Sequence, residues 1–372
     1  MSKDINDSTL SRYRGCLLGG AVGDALGYPV EFTKENRIFG EYGEKGIQTL
    51  DEAGDPAHIT DDTQMTLFAA NAIIYSKTHP DQDLSKCIRA AYIEWLSTQD
   101  YYRLEKPKMW IYENERLHRR RAPGITCLNS LYRLRELPEG MSSDDYYAKN
   151  NSKGCGTVMR AAPYGLIFRP EPGYKSYGDE DHTTLRFSKY DAMLTHGHEL
   201  GYLSSMALAK MVFEIVTNEC TFESERLENV LRRGMIGEGT RLGELLTEAL
   251  ALATDSEISD LDAIHRLGEG WIAEEALAIA VFCAVRYQND FAGAIRAAVN
   301  HKGDSDSTGA VCGNLLGAWL GAEAVYEAFD LKYLELTDLI ESVAEDLYLA
   351  ANSADMPKKG ENPVWDERYY DR

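Results

Sequence analysis

The chain has 372 residues, 44% of them hydrophobic and 27% charged, with 60 acidic against 39 basic side chains and a formal charge of −21. That is enough apolar material for a large core and too much for a disordered chain. A surface this acidic repels a phosphate backbone, so no nucleic-acid partner is expected; an anionic ligand would need a local pocket of backbone N–H groups, a helix N-terminus or a metal.

From the N-terminus onward, apolar residues spaced by three and four predict helices over 11–27, 64–77, 84–98, 190–217, 239–253, 271–287, 289–299, 308–328 and 334–351, rich in Ala, Leu, Glu and Met. The 271–287 stretch is the most continuously apolar, without a polar side chain from Ala276 to Val285, which predicts a central helix. Residues 136–153 and 169–188 read as surface loops, and 354–372, with Pro357, Pro363 and Trp365, as a polar tail. No alternating β pattern, fixed repeat or linker interrupts the series. The expectation is an all-α bundle, a single domain over 1–372 with a core from about 11 to 353.

Seven cysteines (Cys16, Cys87, Cys127, Cys155, Cys220, Cys283 and Cys312) form no CxxC pair, and several fall in apolar helical stretches, as buried thiols of a reducing compartment do. The start, Met1 to Asp7, is polar and lacks a signal-peptide core, and no apolar run approaches the ~20 residues of a membrane span. A cytoplasmic protein with no membrane partner is expected.

Two segments share a four-residue glycine period: Gly15, Gly19, Gly23 and Gly27, then Gly309, Gly313, Gly317 and Gly321. In a helix, i and i+4 share a face, so each segment carries a stripe without side chains. Each helical glycine costs up to ~1 kcal/mol relative to alanine, and close backbone approach is the compensating gain. The two segments are therefore expected to pack on each other or on a shared neighbour. If antiparallel, they bring Glu31 to Asp304 and build one site from both ends of the chain.

Two acidic clusters head helical segments. Thr60-Asp61-Asp62-Thr63 precedes 64–77, and Asp304-Ser305-Asp306-Ser307 precedes 308–328. Helix capping explains either one alone. Unbroken runs of hydroxyl and carboxylate oxygens exceed what a cap requires and suit hard divalent cations. A calcium loop starting at Asp304 fails, because its twelfth position is Leu315 instead of glutamate. Glu31, flanked by Val30 and Phe32, is either a partly buried functional carboxylate or the ion-pair partner of Arg12 or Arg14.

Weaker signals follow. The loop through Ser152, Gly154, Cys155 and Gly156 can offer N–H groups to a phosphate, although a tight turn with a C-cap is the plainer reading and no Walker A pattern is present. His196 and His198 have the HxH spacing of zinc ligands but lack a third ligand, so a core or substrate-contacting histidine is the plainer reading. The basic run His118-Arg119-Arg120-Arg121 reads as a solvated face or a set of salt bridges.

Taken in order, Arg14-Gly15-Cys16-Leu17-Leu18-Gly19 with Gly23-Asp24-Ala25-Leu26-Gly27, then Glu31, Thr60-Asp61-Asp62-Thr63, Arg121-Ala122-Pro123-Gly124, the loop from Ser152 to Arg160, Thr195-His196 and Gly303-Asp304-Ser305-Asp306-Ser307 resemble the ADP-ribosylglycohydrolase family over roughly residues 11–330. The resemblance implies a compact orthogonal multi-helix bundle with a two-metal centre. It implies that Thr60, Asp61, Asp62, Asp304, Asp306 and Ser307 hold two divalent cations, Mg2+ or Mn2+, with Glu31 beside them. It places Ser152, Gly154, Cys155 and Gly156 on the ADP-ribose phosphates or ribose, with His196 in the same cleft. Ser307 stands where many members carry threonine, which keeps the oxygen, and Lys302 stands where glycine is common.

The implied chemistry is hydrolysis of the glycosidic bond joining ADP-ribose to a protein side chain, arginine first, with Glu31 and then Asp304 as the carboxylates that move the proton. The implied partner is an ADP-ribosylated protein. A competing reading is an immunity protein that neutralises an ADP-ribosylating toxin by binding it or reversing its modification; only the short polar segment Met1 to Leu10 precedes the first expected helix, which leaves no long occluding arm.

Overall fold

The computed structural model describes residues 2–100, 102–137, 146–168, 179–217 and 225–371. Among these residues the fold is all helix and turn, with no β-strand; two isolated bridges join Ala57 to Leu334 and Gly154 to Ile272.

At the centre lie two helices from opposite ends of the chain, Ser2–Gly27 and Ser305–Leu320. A Cβ on Gly15, Gly19, Gly23 or Gly27 would fall 2.0–2.4 Å from the carbonyl oxygens of Gly317, Gly313, Gly309 and Ser305 respectively. The partners run backwards as the first helix runs forwards, so the pair is antiparallel. Backbones this close gain dispersion and Cα–H···O contacts along their whole length, which offsets the helical cost of the glycines. Asn314 crosses the seam, its Nδ2 donating to the Cys16 carbonyl at 2.8 Å and filling the space over Gly20.

Helices Ala273–Arg286, Phe291–Val299, Asp61–Thr78 and Thr337–Ala350 pack around this pair. Ala273–Arg286 is buried from Ala276 through Val285, as its unbroken apolar run requires. Asp61–Thr78 is buried almost throughout, its polar residues included. Further out, Glu199–Thr217 packs on Asp179–Met193, Ala162–Gly165 and Leu227–Gly234.

Several boundaries differ from the sequence expectation. The expected 190–217 helix is broken by a turn at 194–198 between Asp179–Met193 and Glu199–Thr217. Apolar spacing continues on both sides, so periodicity alone cannot see the break. The expected 308–328 helix ends at Gly321, whose φ of +87° is left-handed, and restarts at Ala322. Gly321 is therefore the C-cap of this helix as well as the last glycine of the stripe, a Cβ on Gly15 falling 2.7 Å from its carbonyl carbon. Of the loop expected over 169–188, residues 169–178 lie outside the described residues and the rest is helix; 138–145 of the other loop and Cys220 also lie outside them.

The 354–372 segment is no free tail. Asn362 caps helix Pro363–Tyr369, and Trp365 and Tyr369, on one face, are buried, with the Tyr369 hydroxyl donating to Asp346. Glu199–Thr217 is also long and apolar enough to cross a membrane, contrary to the expectation that no run qualifies; here 67% of its apolar window is buried in the protein. Six cysteines are free thiols, five of them buried.

Candidate active site

The antiparallel pair decides where the acidic residues meet. The first helix ends at Gly27, and a one-turn 3-10 segment Tyr28–Val30, entered through Pro29, carries the chain to Glu31. Because Gly27 faces Ser305, that turn lies against the start of the Ser305–Leu320 helix. Carboxylate oxygens of Glu31, Asp304 and Asp306 accordingly lie within 4.8 Å of one another. They form the one group of His, Cys, Asp and Glu side chains among the described residues placed to hold a metal.

The second cluster joins from the side. Thr60 is the N-cap of Asp61–Thr78, accepting from the Asp62 N–H at 3.2 Å. The capping reading and the ligand reading thus apply to the same turn. Its geometry is fixed from below by Asp24, a fully buried carboxylate that accepts from the backbone N–H and hydroxyl of both Thr60 and Thr63. In the sequence Asp24 figures only as part of the Gly23-Asp24-Ala25-Leu26-Gly27 segment, with no role of its own. A lone carboxylate inside an Ala, Leu and Gly segment must find donors, and that was the available signal. Asp61 Oδ2 accepts from the Gly124 N–H at 3.2 Å, which ties in the Arg121-Ala122-Pro123-Gly124 turn.

Electrostatics bind the two clusters into one unit. Burial first, and then the charge of Asp306, push Asp24 up to about 7 and Asp62 well above the usual carboxylate range. Burial, then Asp306, Asp304 and Asp61, push Glu31 up to about 10. Asp61 and Asp304 are raised chiefly by burial, with Asp306 adding to both, and burial also raises Asp306. No ion pair with Lys or Arg is made by any of these six among the described residues, and Asp62 Oδ1 and Asp304 Oδ2 are buried without a hydrogen bond there. Buried carboxylates are paired, protonated or bound to metal. Converging anions with unsatisfied oxygens and no basic counter-charge fit hard divalent cations. The hydroxyls of Thr60 and Ser307 are buried at the same turns; the Ser307 N–H donates to Asp306 Oδ1 at 2.9 Å and to Asp304 Oδ1 at 3.4 Å.

The 152–156 loop forms one wall. Ser152, Lys153, Gly154 and Cys155 are partly open to solvent and Gly156 is buried. The Cys155 thiol faces Asp304. A backbone brace missed in the sequence links this wall to the cluster. The Cys155 N–H donates to the Trp271 carbonyl at 3.2 Å, the Ala273 N–H to Lys153 at 2.9 Å, and the Asp304 N–H to the Glu269 carbonyl at 2.8 Å. Main-chain pairing of this kind has no side-chain code.

His196 does not face the cleft as expected. It is 1% exposed, lies beneath the loop against Gly154 and Gly156, and hydrogen-bonds Thr195 through Nδ1. Burial, with Arg160 nearby, holds it neutral by lowering it to about 3. The helix break at 194–198 makes room for this arrangement. Arg160, fully buried, pairs with Asp191 at 2.8 Å and donates to the carbonyl of Gly156 and the hydroxyl of Thr195, so it fixes the loop from behind. His198 accepts from the Leu200 N–H in a local turn. Arg121 pairs with Glu335, as the salt-bridge reading of the basic run anticipates.

The family model for ADP-ribosylglycohydrolase matches residues 5–355. The chain is 25% identical to ADP-ribosyl-[dinitrogen reductase] glycohydrolase of Rhodospirillum rubrum, covering 86% of this chain and 88% of that protein. It is 22% identical to ADP-ribosylhydrolase ARH3 of Danio rerio, over 91% and 90% of the two chains. A solved structure described as an ADP-ribosylglycohydrolase-related protein complex superposes with a TM-score of 0.60 at 24% identity, covering 93% of this chain and all of the other, a likeness of fold. The match over nearly the whole length establishes that this chain belongs to the ADP-ribosylglycohydrolase family, enzymes that hydrolyse the glycosidic bond of ADP-ribose.

Proposed function

We propose that this protein removes ADP-ribose from modified protein side chains, ADP-ribosylarginine first, and does so with two divalent cations, Mg2+ or Mn2+. The observation that carries the reading is the convergence of buried carboxylates from both ends of the chain, two of whose oxygens are unsatisfied. Thr60, Asp61, Asp62, Asp304, Asp306 and Ser307 would hold the ions, and Glu31 would stand at their edge. When bound, the ions supply charge for the ribose hydroxyls and lower the pKa of a water.

The remaining work belongs to the chain. The 152–156 loop lines the place of the diphosphate, its Ser152, Gly154 and Cys155 N–H groups holding the loop's own shape, and the Arg160–Asp191 pair keeps it in place from behind. Water adds to the ribose carbon as its bond to the acceptor nitrogen breaks. One carboxylate takes the water's proton, and the departing nitrogen leaves with a proton from another. Glu31, raised by burial and neighbouring charge, suits that exchange, with Asp304 second. By analogy with other glycosidases, positive charge develops on the sugar, and the surrounding carboxylates stabilise it. The free thiols agree with action in the cytoplasm.

The test is release of ADP-ribose from arginine-ADP-ribosylated protein with Mn2+, with Mg2+ and with EDTA, for the wild type and Asp304→Ala. Release that requires a cation and disappears in the variant is expected. Equal release with EDTA, or an undiminished variant, contradicts the reading.

A further inference from the structure

Phe32 directly follows Glu31 and yet is 74% exposed. Its backbone is left-handed, with φ of 58°, a conformation bulky L-residues rarely adopt and one that clusters at functional sites. Its ring stacks on Trp271, centroids 4.8 Å apart and planes 23° from parallel. Trp271 is anchored in turn. Its carbonyl accepts the Cys155 N–H, and Gly270 beside it lies so close to the metal turn that a Cβ there would be 3.3 Å from the Asp304 Cβ. The two rings therefore stand beside the acidic cluster, Phe32 next to Glu31 in the chain and Trp271 on the 269–272 segment that is hydrogen-bonded to and packed against Asp304.

We propose that the Phe32–Trp271 pair is the wall against which the acceptor side chain of the substrate lies, and that it selects a planar cation, the guanidinium of an ADP-ribosylated arginine. This rests on the hydrolase reading above. The bond that breaks sits at the carboxylates, so a wall adjoining Glu31 and Asp304 meets the group attached to the reacting ribose carbon. Adenine is separated from that carbon by a ribose, the pyrophosphate and a second ribose. An aromatic face attracts and stacks a guanidinium, and the acidic rim of a chain with charge −21 adds to that attraction. A serine-linked acceptor has neither the plane nor the charge.

The experiment compares the wild type, Phe32→Ala and Phe32→Tyr, loaded with Mn2+, by kcat and KM on an arginine-ADP-ribosylated peptide and by inhibition with free ADP-ribose. Phe32 is exposed, so its truncation leaves the core intact, which a thermal melt verifies. Phe32→Ala is expected to raise KM for the arginine substrate about tenfold, with the ADP-ribose inhibition constant within about twofold of wild type and Phe32→Tyr restoring KM. An unchanged KM in Phe32→Ala, beside a wild type that cleaves arginine, overturns this inference alone. So does a parallel loss of ADP-ribose affinity, which would assign the rings to the other half of the substrate. A wild type that leaves the arginine linkage intact overturns the underlying reading, and the wall with it.

Discussion

Alanine at Gly27 places a methyl group where the Ser305 carbonyl already lies: the Cβ would be 2.3 Å from that oxygen and 2.6 Å from the Asp306 nitrogen. Against an ordinary contact of ~3.5 Å, the two backbones must part by roughly 1 Å. Overpacking of this kind costs about 1–3 kcal/mol, more where both partners are backbone, against ~1 kcal/mol gained by replacing a helical glycine. Unfolding entropy of ~2.1 cal/mol/K per residue makes each kcal/mol worth about 1.3 °C in a chain of this length, so with the cost at its upper end, ~3 kcal/mol less the ~1 kcal/mol gained, Tm should fall by roughly 3 °C. Two companions isolate the cause. Gly15→Ala meets Gly317 O at 2.2 Å at the far end of the same seam and should cost similar stability. Gly40→Ala, in helix Glu35–Tyr42 with nothing within 4 Å, should raise Tm slightly. Only Gly27→Ala displaces Asp306, so only it should weaken Mn2+ binding. The assay is a thermal melt with and without Mn2+. A Gly27→Ala protein as stable as wild type, or equal Mn2+ affinity in Gly15→Ala and Gly27→Ala, would refute the reasoning.

Three further outcomes are expected. The metal-free protein should lose stability as pH rises from 6.5 to 8.5. Glu31 and Asp24, raised to about 10 and about 7, hold protons in the folded state that the unfolded chain has released, each at ~1.4 kcal/mol per pH unit while it stays protonated. His196 and His301, lowered to about 3 and about 4 by burial, are neutral in the folded state; in the unfolded chain they are half protonated at about pH 6.5 and nearly neutral by about 7.5, so they oppose the fall only at the acid end of that window. Mn2+ should flatten the slope and release protons on binding; a metal-free Tm that does not fall with pH would sink the argument. Asp24→Asn replaces one acceptor of four hydrogen bonds with a donor and should lower Mn2+ affinity by about 10–100-fold, measured by calorimetry, with wild-type affinity as the contrary result. Arg160→Ala strands Asp191 in the core and should cost about 3–5 kcal/mol in urea unfolding; a loss under about 1 kcal/mol would mean the pair does not hold the loop.

Much of this site was legible because its signals are local and periodic. Glycines four apart imposed a helix-helix seam, while its antiparallel sense, left open by the sequence, comes from the structure's pairing of Gly15 with Gly317 and Gly27 with Ser305, which joins Glu31 to Asp304. The 60–63 and 304–307 clusters were readable as oxygen-rich helix starts. What escaped has particular causes. Asp24 acts through hydrogen bonds to residues 36 and 39 positions away, a distance at which one sequence offers no pairing code. The Glu269–Ala273 brace is backbone only. The break that turns His196 inward interrupts an apolar period that resumes at once. The last helix did advertise itself, with Asn362 before Pro363 and two aromatics four apart, but proline and charge density made the segment read as tail.

The measurement to set against all of this is the Mn2+ bound per chain, by electron paramagnetic resonance titration, in the wild type, Asp62→Ala and Asp304→Ala. Two tight ions in the wild type, with binding weakened at least about tenfold by either substitution, is the result expected if both ends of the chain build one centre. Unchanged stoichiometry and affinity in either variant would mean that its cluster is only a helix cap, and that the two acidic turns do not form a single site.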